Sequence, residues 1–89
     1  MRLIVSPRAE KQLKKCPKVF QIIIVKKLAS LGERKSNLGS EKLSGYKDLF
    51  RVRVGNYRIV YRTRDNINYV VLIAHRKEVY DLLKNLISN

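Results

Sequence analysis

Leu49-Phe50-Arg51-Val52-Arg53-Val54-Gly55-Asn56-Tyr57-Arg58-Ile59-Val60-Tyr61-Arg62-Thr63-Arg64 alternates apolar and basic residues, breaks at Gly55-Asn56 and resumes. Period two is the signature of a strand, and a Gly-Asn pair between two such runs predicts a tight hairpin. A two-residue loop places Val54 opposite Tyr57, Arg53 opposite Arg58, Val52 opposite Ile59 and Arg51 opposite Val60. Arg51, Arg53, Arg58 and Arg62 then share one face, read as guanidinium groups with no carboxylate among them. Phe50, Val52, Val54, Tyr57, Ile59 and Tyr61 share the other, read as the core face. Like charges directly across a sheet destabilise it by ~0.2–1 kcal/mol per pair. A fold with no use for the arginines would gain by replacing them. A polyanion explains them, most simply nucleic-acid phosphate, which arginine grips bidentately. The plainer reading is a solvated sheet face that happens to be basic.

Outward from this hairpin the chain is basic throughout. Its 89 residues carry 20 Lys and Arg against 7 Asp and Glu, a formal charge of +13. Such a charge points to an anionic partner: nucleic acid, an anionic membrane or an acidic protein. A hydrophobic fraction of 45% is that of a globular domain and excludes a disordered basic tail. One domain, 1–89, is expected. Cys16 is the single cysteine and His75 the single histidine, so neither an internal disulfide nor a Cys/His zinc site can be built from this chain. No metal or small-molecule cofactor is expected. The N-terminus lacks the apolar core of a signal peptide and no apolar run spans a membrane, so a cytoplasmic protein with no membrane partner is expected.

Arg2 to Val5 reads as a strand, and Ser6-Pro7 as an N-cap with Pro at the first helical position. Ala9, Leu13 and Cys16 recur at helical spacing, and Pro17 kinks or interrupts the helix. A second helix runs from about Pro17 to Leu31 and stops at Gly32. Its stripe is Phe20, Ile23, Ile24, Leu28 and Leu31. Ile22 to Val25 is β-branched, but the pattern extends over about four turns, which favours helix. Glu33 to Gly45 reads as a polar loop with Leu38 and Leu43 tucked in. After the hairpin comes a turn at Asp65-Asn66. The strand from Asn68 to Ala74 follows, with no alternation and hence both faces covered. A last helix carries Val79, Leu82, Leu83, Leu86 and Ile87. The order β-α-α-β-β-β-α predicts an α+β fold: a small, mostly antiparallel sheet packed by an N-terminal α-hairpin and a C-terminal helix.

Three segments carry a resemblance. Leu43-Ser44-Gly45-Tyr46, then Phe50 to Tyr61, then Ala74-His75-Arg76-Lys77-Glu78-Val79-Tyr80 resemble the RelE branch of the RelE/ParE toxin superfamily. The resemblance extends over nearly the whole chain. It implies the toxin of a type II toxin–antitoxin pair, a metal-independent endoribonuclease that cuts mRNA in the ribosomal A site, beside the 16S rRNA. Its partners would be the ribosome, mRNA and a cognate acidic antitoxin. The family's basic residues of the second strand fall on Arg51 and Arg53. The arginine after the turn falls on Arg58, that at the end of the last strand on Arg76, and the terminal tyrosine on Tyr80. The best-known relatives have lysine at the first two positions. Arginine does not give up its proton, so Arg51 and Arg53 can stabilise charge but cannot act as a general base.

The reaction needs a group to take the 2′-OH proton, donors for the extra charge on phosphorus and an acid for the leaving 5′-oxygen. A two-histidine mechanism is excluded. Preorganised arginine is the contribution the sequence supplies best. Proton transfer falls to Tyr80, His75 or a group of the ribosome. The competing readings are that Tyr80 is a half-buried helix residue and that His75 caps the strand end. Glu78 and Asp81 are the only acidic residues expected near the basic motif. Tyr57, Tyr61 and Tyr69 are expected to pack in the core or on the sheet rather than to stack on bases. Two alternatives stand beside the nuclease: a ParE-like toxin that binds DNA gyrase, and a non-catalytic RNA- or ribosome-binding module.

Overall fold

The computed structural model describes residues 2–33 and 40–87, with the side chain of Ile87 outside that set. Its elements are β1 (Arg2–Val5), α1 (Pro7–Lys15), α2 (Lys18–Leu31), β2 (Ser40–Lys42), β3 (Leu49–Val54), β4 (Tyr57–Arg64), β5 (Ile67–His75) and α3 (Val79–Ile87). They form one five-stranded sheet in the order β1-β5-β4-β3-β2. β1 runs parallel to β5 and the other neighbours are antiparallel. The expected α+β class holds, with one addition. The short edge strand β2 lies within the segment read as a polar loop. Three residues of Ser-Glu-Lys carry no periodicity to read. Leu38 lies outside the described residues, and Leu43 is buried as expected.

The hairpin register is the one the Gly55-Asn56 turn predicts: Val54 faces Tyr57, Arg53 faces Arg58, Val52 faces Ile59 and Arg51 faces Val60. Gly55 has φ +58° while Asn56 keeps a negative φ, the pattern of a II′ turn. A Cβ at Gly55 would also lie 2.8 Å from Phe20, so backbone and packing both demand glycine. The next turn is a two-residue loop with Asp65 and Asn66 both left-handed, φ 52° and 63°, as a I′ turn requires. A register shift between Val60 and Tyr61 lets β4 pair along all of β5.

α1 opens on Ser6, whose hydroxyl accepts from the Ala9 amide at 3.1 Å. It ends before Cys16-Pro17, where the chain restarts as α2. The β-branched run is helical, because Ile24, Leu28 and Leu31 find a sheet to pack on. Cys16 is buried, and burial pushes its thiol pKa up, as for a small core residue. Beyond Val70, β1 has ended, and α1 covers the open edge of β5. There the Gln12 side-chain oxygen accepts from the Ile73 amide at 2.9 Å. Buried Asn68 donates to the last carbonyl of α2, Leu31 O, at 2.8 Å and ties that helix end to the sheet.

Both faces of the sheet are core, which corrects the reading of the arginine face as guanidinium groups alone. On one face α1 and α2 cover Val52, Val54, Ile59, Tyr61, Val70 and Ile73. On the other, α3 lays Val79 and Leu83 against Leu49, Val60, Leu72 and Ala74. Val60 and Leu49 share the face of Arg51, Arg53, Arg58 and Arg62. Along β4 the alternation therefore reads basic, apolar, basic on that face, and α3 sits over the apolar part.

Candidate functional site

At the turn end of this face the sheet holds Arg51 and Arg53 of β3 and Arg58 of β4, with Arg53 directly across from Arg58. α3 begins beside them, and Tyr80, on its first turn, reaches back to Arg51. The Arg51 Nη1 donates to the Tyr80 hydroxyl, and the guanidinium carbon lies 6.0 Å from the ring centre. Arg51 is a hub, because its Nη2 also donates to Glu41 Oε2 at 3.3 Å. The bond to Tyr80 leads the causes that raise the proton affinity of Arg51, and partial burial works against it.

Arg58 is 8% exposed, unusual for an arginine. Its Nη1 donates to the carbonyls of Gly55 and Tyr57, both at 2.9 Å, which clamps the guanidinium against the turn. Burial chiefly lowers its proton affinity, and the charges of Arg53, Arg51 and Arg76 add to that, while Tyr80 opposes it. Arg51 and Arg53 of β3, Arg76 just after β5 and Tyr80 of α3 are thus all near enough to bear on the charge of Arg58. Arg76 is joined to the turn through its backbone, its amide donating to Asn56 O at 2.7 Å. Five of the six expected site residues are thus brought together.

His75 is placed apart from them. It pairs with Tyr57 in the β4–β5 register, one residue out of phase with Arg58 and Ala74, and so faces the α1 side. Its ring meets Tyr57 edge-on at 5.6 Å, and its Nδ1 accepts from the Lys77 amide at 3.2 Å. This is the strand-end cap of the two roles considered for it. Arg62 is also apart, at the far end of the hairpin, 3.5 Å from Asp48.

The reading of the arginine face as free of carboxylates, with Glu78 and Asp81 the only acids near the motif, is corrected by Glu41. It sits on β2 directly opposite Arg51, 3.3 Å from Arg51 Nη2 and 4.0 Å from Arg53 Nε. Antiparallel pairing of the short edge strand β2 with the next strand brought it there, and its signal in the sequence was only an isolated acid upstream of the hairpin. Among the described residues no group of three or more His, Cys, Asp or Glu side chains could hold a metal ion. Chemically, the cluster can bind a phosphate, stabilise added negative charge on it and, through Tyr80 or Glu41, exchange a proton.

A small basic α+β domain with an arginine-lined sheet end has counterparts among known proteins. The family described as "ParE toxin of type II toxin-antitoxin system, parDE" matches residues 3–80. Toxin RelE3 of Methanocaldococcus jannaschii is 31% identical over 85 residues, 91% of this chain and 97% of that protein. The RelB–RelE antitoxin–toxin complex from Methanococcus jannaschii superposes with a TM-score of 0.75 at 27% identity, over 88% of this chain and 95% of that one. An arginine-substituted E. coli toxin RelE in the free state gives a TM-score of 0.74 at 25% identity, over 97% and 96%. The chain belongs to the RelE/ParE toxin superfamily, and is a toxin of the type II toxin–antitoxin class.

Proposed function

We propose that the protein is a ribosome-dependent, metal-independent endoribonuclease that cuts mRNA. The observation that carries this reading is the convergence of Arg51, Arg53, Arg58, Arg76 and Tyr80 at one sheet end. In the proposed reaction the ribose 2′-oxygen loses its proton and attacks the adjacent phosphorus. The P–O5′ bond breaks, the 5′-oxygen takes up a proton, and a 2′,3′-cyclic phosphate remains. Arg58 and Arg53 hold the scissile phosphate and stabilise its additional charge, with Arg76 at the rim. One well-placed donor of this kind is worth ~3–4 kcal/mol. Arg51 orients the two groups able to exchange a proton, Tyr80 and Glu41.

The chain's partner in the resting cell is an acidic antitoxin. Relatives occur in complex with RelB antitoxins, and the +13 charge suits an acidic wrapping chain. α2 also exposes Val19, Ile22, Ile23 and Val25, apolar side chains that gain by being covered.

The experiment is induction of the protein in growing cells followed by primer extension on mRNA, with and without translation. Breaks confined to translated messages, ending in cyclic phosphates, support the nuclease. The matching family description is that of ParE toxins, which keeps a gyrase-directed toxin as the second reading. Intact mRNA together with trapped gyrase–DNA complexes would decide for it.

A further inference from the structure

Of the three tyrosines expected to pack, the structure buries Tyr61 and half-buries Tyr57 but leaves Tyr69 38% exposed. Tyr69 lies on central strand β5, on the α3 face and directly opposite Arg62. Leu86 of α3 lines a hollow with it. The ring borders two hollows. One, of about 300 Å³, is lined by Arg62, Arg64, Asp65 and Ile67 besides the tyrosine. The other, of about 210 Å³, is lined by Pro7, Arg8 and Leu86. An aromatic ring partly exposed on a sheet face, bordering two hollows with arginine in each, suits a flat ligand that is also anionic.

The charges sort the ligand further. Asp48 pairs with Arg62 at 3.5 Å and with Arg64 at 3.0 Å, which cancels part of their charge. Arg8, across the ring, meets no carboxylate among the described residues. With Asp65 beside the Asp48-paired Arg62 and Arg64 in one hollow and Arg8 in the other, the ring offers stacking first and phosphate contact second. Unpaired RNA is read in this way, with a base on an aromatic face and its backbone on nearby cations.

We infer that Tyr69 is a base-stacking platform for an unpaired RNA nucleotide, with Arg8 on its phosphate, separate from the arginine cluster at the turn end. Four residues of β4 separate Arg58 from Arg62, roughly 13 Å along the strand. The covering helix α3 lies between. The platform therefore serves a second RNA contact rather than the scissile phosphate. The inference rests on the reading that this toxin handles RNA.

The test is fluorescence anisotropy of the full chain with a labelled, unstructured 12-nucleotide RNA whose riboses are 2′-O-methylated. Such RNA binds but cannot undergo attack by a 2′-oxygen, so the readout does not depend on cleavage. Tyr69→Ala is expected to weaken binding about tenfold, within the range for loss of one stacked base. Tyr69→Phe, which keeps the ring, is expected to bind within about twofold of the parent. Arg8→Gln is expected to flatten the salt dependence of binding, because one fewer counterion is released. Equal affinity for Tyr69→Ala and the parent overturns the platform, as does a parent chain that binds no RNA. Unchanged RNA binding with weakened antitoxin binding assigns the surface to a protein and overturns it too. A parent that binds this RNA but leaves cellular mRNA intact defeats the nuclease reading and leaves the platform standing.

Discussion

At the turn end of the β3–β4 hairpin, Arg51 and Arg53 share the carboxylate of Glu41, while Arg58 and Arg76 have none among the described residues. At the far end of the same hairpin, Arg62 and Arg64 share Asp48. The sequence motif is the same at both ends, arginine alternating with apolar residues on twisted strands. The surroundings differ. At the turn end four cations crowd together, and one of them, Arg58, is buried. That arrangement costs stability, which an arriving negative charge would offset. At the far end two cations are held by one acid, the ordinary way a sheet carries arginine. The comparison teaches that charge type alone does not mark a site. Surplus of one sign, burial and convergence from several elements do.

The strongest way to break the comparison is to remove one arginine from each end. Arg58→Ala should lower cleavage of translated mRNA about 10²–10³-fold, the loss expected for one preorganised donor. Arg62→Ala should keep the rate at saturating RNA within a few-fold. Equal losses at the two ends would mean that the turn-end cluster has no special part. Leu83→Ala addresses the helix that separates the ends. Leu83 is buried against the α3 face of the sheet, so its truncation should cost about 2–5 kcal/mol in urea unfolding. It should also loosen Tyr80 from Arg51.

Smaller effects separate the two carboxylates. Asp48→Asn should cost up to about 1 kcal/mol, since both of its pairs are partly solvent-exposed. It should leave the cleavage rate nearly unchanged. Glu41→Gln should leave stability within about 0.5 kcal/mol, because the Glu41 side chain is exposed. It should change the pH dependence of cleavage, where Asp48→Asn would not. Denaturation midpoints and pH–rate profiles on the same two variants check both statements. The smallest effect concerns salt. Each turn-end arginine replaced by glutamine should reduce the slope of log affinity against log salt by about 0.7 for single-stranded RNA. Arg64→Gln should reduce it less, because Asp48 already neutralises part of that charge.

Most of the fold was legible because its signals are local. The Gly55-Asn56 turn and the alternation around it fix a register in which a slip of one residue would turn Val52 and Ile59 to the wrong face. Ser6, Pro7, Pro17 and Gly32 mark helix ends through backbone chemistry that acts within a turn of chain. Arg51, Arg53 and Arg58 were placed on one face by that same register. The misses share one cause. β2 is too short to have a period. Glu41 reaches Arg51 only because β2, just upstream, pairs antiparallel with β3. His75 lies one residue from Ala74, and one residue in a strand is the difference between two faces.

The sequence by itself determined the elements, the hairpin register, the excess of positive charge and the absence of a two-histidine mechanism, since each follows from residue type and spacing along the chain. Tertiary structure alone decided what stands next to what. It covered half of the arginine face with α3, brought Tyr80 and Glu41 to opposite sides of Arg51, paired Arg62 with Asp48, and left Tyr69 in the open. These are contacts between residues distant in sequence. They are set by which apolar surfaces bury one another, and no local pattern encodes that choice.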